Sequence, residues 1–138
     1  MGQILAIDYG KARCGIAATD DMQIIASGLD TVQTSSLIGF LKKYFSENRV
    51  EEVVVGLPVD LKGNVSEVEK DILKFIEIFE KEFPAIKVHR FDERFTSKMA
   101  SYFISQSGKS KKQRQEKGLI DKVSATIILQ NFLEQRTR

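Results

Sequence analysis

The stretch Ile4-Leu-Ala-Ile-Asp-Tyr-Gly10 is an apolar run that ends in a single carboxylate, Asp8. An uninterrupted run of this kind is typical of a strand buried on both faces of a sheet. Open α/β sheets build their sites at the carboxyl edge of the strands, so Asp8 is the first candidate for a functional residue. The alternative is that Asp8 only caps the turn that follows, as Asp often does at the end of a strand.

A tight basic turn follows this strand, with Gly10, Lys11, Arg13 and Gly15 close together. The glycines permit backbone conformations that other residues resist, and the two cations suit an anion. A carboxylate able to bind a metal ion, next to a turn able to hold an anion, indicates phosphate chemistry.

The composition is that of an ordinary globular domain, with 42% hydrophobic and 29% charged residues in a chain of 138. This length predicts a single domain spanning residues 1–138. No apolar run approaches the ~20 residues that cross a membrane, and no signal-peptide pattern opens the chain. The single cysteine, Cys14, excludes an internal disulfide and favours a packing role in a reducing cytoplasm. The one histidine, His89, lies in a separate apolar segment, where nothing marks it as a catalytic partner for Cys14.

The positive charge is concentrated in one segment, residues 109–117. The chain carries +2 overall, and this segment alone carries +4, from Lys109, Lys111, Lys112, Arg114 and Lys117 against one acid, Glu116. A local cluster of this kind is expected where a polyanion is held. The alternative is a loop that is only solvated. The two interpretations are compatible if a solvated loop becomes ordered when it binds nucleic acid.

The order of apolar patterns predicts β-β-β-α-β-α-β-α-α. The predicted strands are Ile4–Gly10, Cys14–Thr19, Met22–Val32, Val53–Pro58 and Ile86–Asp92. The predicted helices run from a cap at residues 34–36 to about Asn48, from Val65 to Phe83, from a cap at residues 96–97 to Gly108, and from Leu119 to about Leu133. A meander of three antiparallel strands followed by helical crossovers gives an α/β fold, a five-stranded mixed sheet with helices on both faces.

Three positions carry acids that the predicted fold can bring together: Asp8, the pair Asp92-Glu93, and Asp121 in the last helix. Oxygen ligands of this kind hold two divalent ions, which activate water and stabilise a leaving oxygen in phosphodiester cleavage. Neighbouring strand residues face opposite sides, so we take Glu93 as the ligand and Asp92 as the fallback. For Asp121, the alternative role is charge compensation at a helix N-terminus. Arg94 is expected to anchor Glu93 or contact a phosphate.

Four blocks resemble the signature of the YqgF family, also called RuvX. They are Asp8-Tyr-Gly-Lys-Ala-Arg-Cys-Gly-Ile-Ala-Ala-Thr-Asp20, Val54-Val-Gly-Leu-Pro58, Asp92-Glu-Arg-Phe-Thr-Ser97, and Asp121 through Ser124-Ala125 to Ile128-Leu-Gln130. Members have the ribonuclease-H-like fold and are described as Holliday junction resolvases or as nucleases that mature the 5′ end of 16S ribosomal RNA. The resemblance implies that the acidic site of the family falls on Asp8, Glu93 and Asp121.

Two positions depart from the family pattern. The first turn of the family usually reads Lys-Arg-x-Gly, whereas here Ala12 holds the Lys place and Lys11 comes one residue earlier. The loop after Pro58 usually carries an Asn-Met-Asp-Gly-like run, whereas here it reads Asp60-Leu-Lys-Gly63. The first departure bears on the phosphate contact and the second on the role of the loop, and neither removes a proposed ligand.

The leading hypothesis is a nuclease dependent on Mg²⁺ or Mn²⁺ that cleaves structured RNA, with the ribosomal small-subunit precursor as a candidate partner. Arg13, Arg94 and the basic segment would position the backbone. Resolution of branched DNA would use the same acids. Cleaving both strands of a junction calls for two active sites and hence a dimer, and the oligomeric state stays open. Sugar kinases and actin-like ATPases share the fold but need two such domains. A catalytically silent RNA-binding module is the remaining alternative.

Overall fold

The computed structural model describes the backbone of residues 2–59, 62–92 and 117–136, and the side chains of those residues except 117–121. The strands are β1 (Gln3–Tyr9), β2 (Arg13–Thr19), β3 (Ala26–Gln33), β4 (Val50–Leu57) and β5 (Lys87–Asp92). A 3₁₀ turn (Thr34–Ser36) leads into α1 (Leu37–Glu47), and the further described helices are α2 (Glu69–Glu82) and α3 (Lys117–Arg136). The helix predicted after Thr96-Ser97 lies outside the described residues.

The five strands form one sheet in the order β3-β2-β1-β4-β5. β1 pairs antiparallel with β2, and β2 pairs antiparallel with β3. On the other side, β1 is parallel to β4, and β4 is parallel to β5. The predicted meander followed by parallel crossovers is therefore confirmed, and the apolar strand that ends in Asp8 is the central strand.

The two faces of the sheet are covered by different helices because successive strand residues point to opposite sides. Leu5 and Ile7 of β1 belong to a core that includes Leu41 of α1 and Phe79 of α2. Ile4 and Ala6, which alternate with them, belong to a second core with residues of α3, namely Ala125, Ile128 and Leu129. The sheet thus carries helices on both faces, as the sequence predicts.

The C-terminal helix lies very close to the sheet. At Gly28 of β3, a Cβ atom would lie 2.8 Å from Cγ of Lys122, nearer than real Cβ atoms approach. Small residues on both partners, such as Ala6, Ala17 and Ala125, leave the room for this approach. The direction and height of α3 over the sheet are therefore narrowly set.

Strand β3 begins at Ala26, later than the predicted Met22. The carboxylate of Asp20 accepts hydrogen bonds from the backbone N–H groups of Met22, Ile24 and Ile25, at 3.2, 2.9 and 2.8 Å. These local bonds compete with strand pairing, and Gln23 adopts a left-handed conformation with φ of 59°. The apolar residues before Ala26 therefore lie in a loop and not in the predicted strand.

Helix α2 begins at Glu69, four residues after the predicted start at Val65. Val65 instead forms an isolated antiparallel bridge with Val59, and the N–H of Ser66 donates to the carbonyl oxygen of Pro58 at 2.8 Å. The chain therefore folds back on the end of β4 before it turns into the helix. Within the described residues, no helix is long and apolar enough to cross a membrane.

Candidate active site

Asp8 lies near the carboxyl end of the central strand, half-buried. Its parity places it with Ile4 and Ala6, on the face that α3 covers. On one side Asp8 pairs with Gly15 of β2. On the other side Ile7 pairs with Val55, so the next residue of β4, Gly56, lies level with Asp8.

The two residues that flank Asp8 in the sheet, Gly15 and Gly56, carry no side chain. Both glycines are buried, and the row continues through Gly56 to Phe91 of β5. No side chain of a neighbouring strand therefore lies beside the carboxylate of Asp8 in this row. A side chain at either glycine would crowd an ion or a phosphate group bound at Asp8.

Helix α3 runs across this face from the Asp8 end of the sheet to the opposite end. Its last residue, Arg136, donates to both carboxylate oxygens of Glu52, near the amino end of β4, at 2.5 and 3.0 Å. Ala125 and Ile128 pack against Ile4 and Ala6 midway. The start of α3 consequently lies towards the carboxyl end of β1, where Asp8 stands.

Asp121 is the fifth residue of α3, at the end of the helix that lies towards Asp8. The sequence suggested that Asp121 could instead compensate the helix N-terminus. Since α3 begins at Lys117, no acid occupies its first turn, and the dipole effect falls off beyond that turn. Asp121 therefore lies beyond the first turn, at the end of α3 that is directed towards Asp8, and its role as a ligand stays a prediction.

The parity of β5 separates the two acids at its end. Arg90, two residues before Asp92, bonds to Glu69 of α2, so Arg90 and Asp92 face α2. His89 and Phe91 face the other way, towards α3, where His89 lies 5.0 Å from the ring of Phe132. Asp92 is thus on the side opposite Asp8, which disfavours it as the ligand. Glu93 lies outside the described residues.

The basic turn after β1 is held rigidly by Thr34. Its hydroxyl group donates to the carbonyl oxygen of Gly10 at 2.6 Å, and its N–H donates to the carbonyl oxygen of Ala12 at 3.1 Å. A Cβ atom at Gly10 would lie 2.5 Å from the carbonyl oxygen of Arg13, so only glycine fits there. Lys11 lies on this turn beside the end of β1 and is exposed, and Arg13 is partly exposed.

Cys14 has the packing role predicted for it. Its side chain is fully buried, in the core beneath α1 and α2, and its sulfur lies 3.4 Å from the hydroxyl oxygen of Thr34. His89, the one histidine, lies on β5 and bonds through Nε2 to Glu52 at 2.7 Å. Neither residue belongs to the row that contains Asp8.

Sequence reasoning missed Arg90, a partly buried cation that bonds to the strand end beside the candidate site. Its Nε donates to the carbonyl oxygen of Val55 at 3.2 Å, and Nη2 donates to that of Gly56 at 2.9 Å. Two further bonds, at 2.9 and 2.6 Å, reach the two carboxylate oxygens of Glu69. One guanidinium group therefore ties the start of α2 to the carboxyl ends of β4 and β5. The sequence does show a cation, Arg90, inside an apolar strand. The sequence pattern does not show that its partner is Glu69.

A second ionic cluster lies at the far end of the sheet. Glu52 is only 8% exposed and accepts bonds from His89 and Arg136. Burial alone would raise the pKa of Glu52, but the hydrogen bonds and charges of Arg136 and His89 outweigh it and hold that pKa below its ordinary value. This cluster fastens the end of α3 to the sheet and keeps the helix in the direction described above.

The remaining predicted site residues lie outside the described part of the chain: Glu93, Arg94, Lys109, Lys111, Lys112 and Arg114. Of the three acids, Asp8 alone has a described side chain. Within the described residues, no group of three His, Cys, Asp or Glu side chains could hold a metal ion.

One described atom on α3 fits an oxygen-ligand site. The hydroxyl oxygen of Ser124 is buried and has no hydrogen-bond partner among the residues that the structure describes. A hydroxyl oxygen and a carboxylate such as that of Asp8 are both hard oxygen donors, the kind that Mg²⁺ and its water shell bind.

A five-stranded mixed sheet in this order, with helices on both faces and an acid near the end of the central strand, defines a ribonuclease-H-like protein. The chain belongs to the family described as "RuvX: Holliday junction resolvase", whose model matches residues 2–135. The resemblance seen in the four sequence blocks is thereby confirmed.

Curated relatives match over nearly the whole chain. One from Flavobacterium johnsoniae is 55% identical over 136 residues, covering 99% of both chains. One from Bacteroides fragilis is 46% identical with the same coverage, and one from Amoebophilus asiaticus is 44% identical over 138 residues, covering 100% of this chain and 98% of the relative. All three carry the name "Putative pre-16S rRNA nuclease".

Proposed function

We propose that this protein is a metal-dependent endonuclease that cleaves phosphodiester bonds of structured RNA, with the 5′ end of the 16S ribosomal RNA precursor as its substrate. One observation supports the proposal: Asp8 lies next to the last residue of the central strand, on the sheet face that α3 covers, and α3 starts towards that end of the sheet. The name shared by the curated relatives supplies the substrate.

In this proposal Asp8, Glu93 and Asp121 hold Mg²⁺ or Mn²⁺. Bound divalent ions supply an activated water and charge stabilisation for the leaving oxygen. Because Gly15 and Gly56 carry no side chain, neither neighbouring strand would block the scissile phosphate from the carboxylate of Asp8. Because the three acids repel one another when no cation is bound, cation binding stabilises the folded state by mass action.

The cations of the chain position the RNA backbone. Lys11 and Arg13 lie on a turn that Thr34 fixes beside the end of β1, which suits them to one phosphate next to the scissile bond. Arg94 and the segment Lys109–Lys117 supply further phosphate contacts. Phosphate contacts set affinity and register without reading sequence, so these cations would hold the RNA without selecting a sequence.

A second candidate function is resolution of branched DNA, which the description of the matching family favours. It uses the same acids on another substrate. Symmetric cleavage of a junction needs two active sites and therefore a dimer.

The test is cleavage of precursor 16S RNA and of a four-way DNA junction by the purified protein, with Mg²⁺ or with EDTA. We expect RNA cleavage that EDTA abolishes and that Asp8→Asn lowers by about 100-fold or more. Asp21→Asn is the matched control, because Asp21 is exposed and follows β2 at the other end of the sheet. Equal cleavage by Asp8→Asn and wild type would reject the site. RNA binding without cleavage would favour a silent binding module, and junction cleavage by a dimer would favour the resolvase.

A further inference from the structure

Ser124 carries a buried hydroxyl group that the fold itself does not use. The residue is 1% exposed, and its Oγ has no hydrogen-bond partner among the residues that the structure describes. A buried polar group in this state destabilises a protein, because it loses water and gains nothing in return. An alanine at position 124 would avoid this cost, because it has no hydroxyl group.

A hydroxyl group inside a helix usually donates to the carbonyl oxygen four residues back, and Ser124 does not make this bond. Two residues further along α3, the hydroxyl of Thr126 donates to the carbonyl oxygen of Lys122 at 2.9 Å. This bond to the carbonyl four residues back is the common solution for Ser and Thr inside helices. Ser124 has the same option and does not use it, so its hydroxyl is directed elsewhere.

The position of Ser124 on α3 indicates that direction. Lys122 and Thr126 lie over Gly28 of β3. Ser124 is two residues from each, about half a turn round the helix, and therefore faces the β4 side of α3. Ala125, next to it, packs in the core with Ala6, and Asp8 is two residues beyond Ala6 on the same face.

The tilt of helical side chains completes the geometry. Cα–Cβ bonds of a helix lean towards its N-terminus, and the N-terminus of α3 lies at the Asp8 end of the sheet. The Cα–Cβ bond of Ser124 therefore leans towards the end of the sheet that carries Asp8 and Gly56, and Ser124 lies one turn after Asp121.

We propose that Ser124 is a positioning residue of the cation site: its hydroxyl group makes one hydrogen bond to an oxygen atom in the coordination shell of the divalent cation beside Asp8. This rests on the proposed function, which places that cation. Outer-shell hydrogen bonds of this kind orient the ligands, and their loss typically weakens metal affinity by about 10- to 100-fold.

The test uses Ser124→Ala in the full chain, with two readouts that do not depend on activity. The first is the melting temperature in EDTA, and the second is the Kd for Mn²⁺ by calorimetry. We expect the variant to melt at the same temperature as wild type or a few degrees higher, because the unpartnered hydroxyl is gone. We expect its Kd for Mn²⁺ to rise about 10-fold or more. Ser124→Cys, which keeps the shape and weakens the donor, serves if the alanine variant does not fold.

Two controls separate the possible failures. Thr126→Ala removes a hydroxyl from the same helix on the β3 side, and it should leave the Kd for Mn²⁺ unchanged. Asp8→Asn should abolish Mn²⁺ binding at the site. If Asp8→Asn loses Mn²⁺ while Ser124→Ala binds it like wild type, the role of Ser124 is wrong and the proposed function stands. If Asp8→Asn binds Mn²⁺ like wild type, the proposed cation site fails, and the role of Ser124 fails with it.

Discussion

Arg90 on β5 and Glu69 at the start of α2 form a bidentate ion pair, with nitrogen to oxygen distances of 2.6 and 2.9 Å. The same guanidinium also holds the carbonyl oxygens of Val55 and Gly56. Both side chains are largely buried, with exposures of 26% for Arg90 and 14% for Glu69. The pair therefore fixes the ends of β4 and β5, which border the candidate site.

Arg90→Lys should lower the free energy of unfolding by about 1–3 kcal/mol, because a lysine cannot satisfy two carbonyl groups and a carboxylate at once. Urea unfolding of the two proteins measures the difference. Glu77→Gln is the matched control, since it breaks the exposed pair with Lys81 and should change stability by less than about 1 kcal/mol. Equal losses of unfolding free energy in both variants would show that the Arg90 and Glu69 pair contributes no more than an exposed ion pair.

Gly10→Ala should destabilise the basic turn, because the new Cβ atom would lie 2.5 Å from the carbonyl oxygen of Arg13. A backbone shift of this kind costs on the order of 1–3 kcal/mol and should also weaken RNA binding through Lys11 and Arg13. Gly39→Ala is the control: it lies inside α1 with nothing within 4 Å of the added atom. Gly39→Ala should stabilise the protein by about 0.5–1 kcal/mol. Loss of stability in Gly39→Ala would contradict the assignment of the Gly10→Ala effect to the contact with Arg13.

Glu52 makes stability depend on pH in the acid range. Its pKa in the folded protein is lower than its ordinary value, so the folded state binds fewer protons at this group than the unfolded state does. Its contribution is therefore fully present above the ordinary value, about 4.5, and is lost as the pH falls through the folded pKa.

Urea unfolding between pH 3 and pH 7 tests this dependence. Wild type should lose stability more steeply than Glu52→Gln as the pH falls below about 4.5. Glu47→Gln, at an exposed position at the end of α1, should follow the wild-type curve. A curve for Glu52→Gln that parallels wild type would show that Glu52 is not the group responsible.

The basic segment should set RNA affinity without setting sequence preference. Changing Lys111, Lys112 and Arg114 together to Ser should weaken binding to all RNAs alike and flatten its salt dependence by about two units, since each lost phosphate contact removes roughly 0.7–0.9. Mn²⁺ affinity should be unchanged. The control replaces three exposed lysines of α1 and α2, Lys42, Lys43 and Lys81. If the segment variant keeps wild-type affinity and salt dependence, the RNA is held elsewhere.

The sheet and its two covered faces could be predicted from the sequence because they follow from local patterns. The apolar strand ending in Asp8 and the glycine turn after it indicate the centre of the sheet. The 3.6-residue spacing of apolar positions indicates α1, α2 and α3.

The boundaries and the ion pairs could not be predicted, because they depend on contacts that no local pattern encodes. Asp20 captures three backbone N–H groups and delays β3, and the bridge from Val65 to Val59 delays α2. The partnership of Arg90 with Glu69 joins residues far apart in the chain. For Asp121, the sequence left two roles open, metal ligand and charge compensation at a helix N-terminus, and the ligand role stays a prediction.

The most direct test of the central claim is anomalous diffraction from a crystal soaked in Mn²⁺. We predict one or two Mn²⁺ ions within about 2.0–2.6 Å of carboxylate oxygens of Asp8, with Glu93 and Asp121 as the other protein ligands. Crystals of Asp8→Asn grown and soaked in the same way should lack them. Mn²⁺ bound only at other places on the protein, with none at Asp8, would contradict the proposed nuclease site.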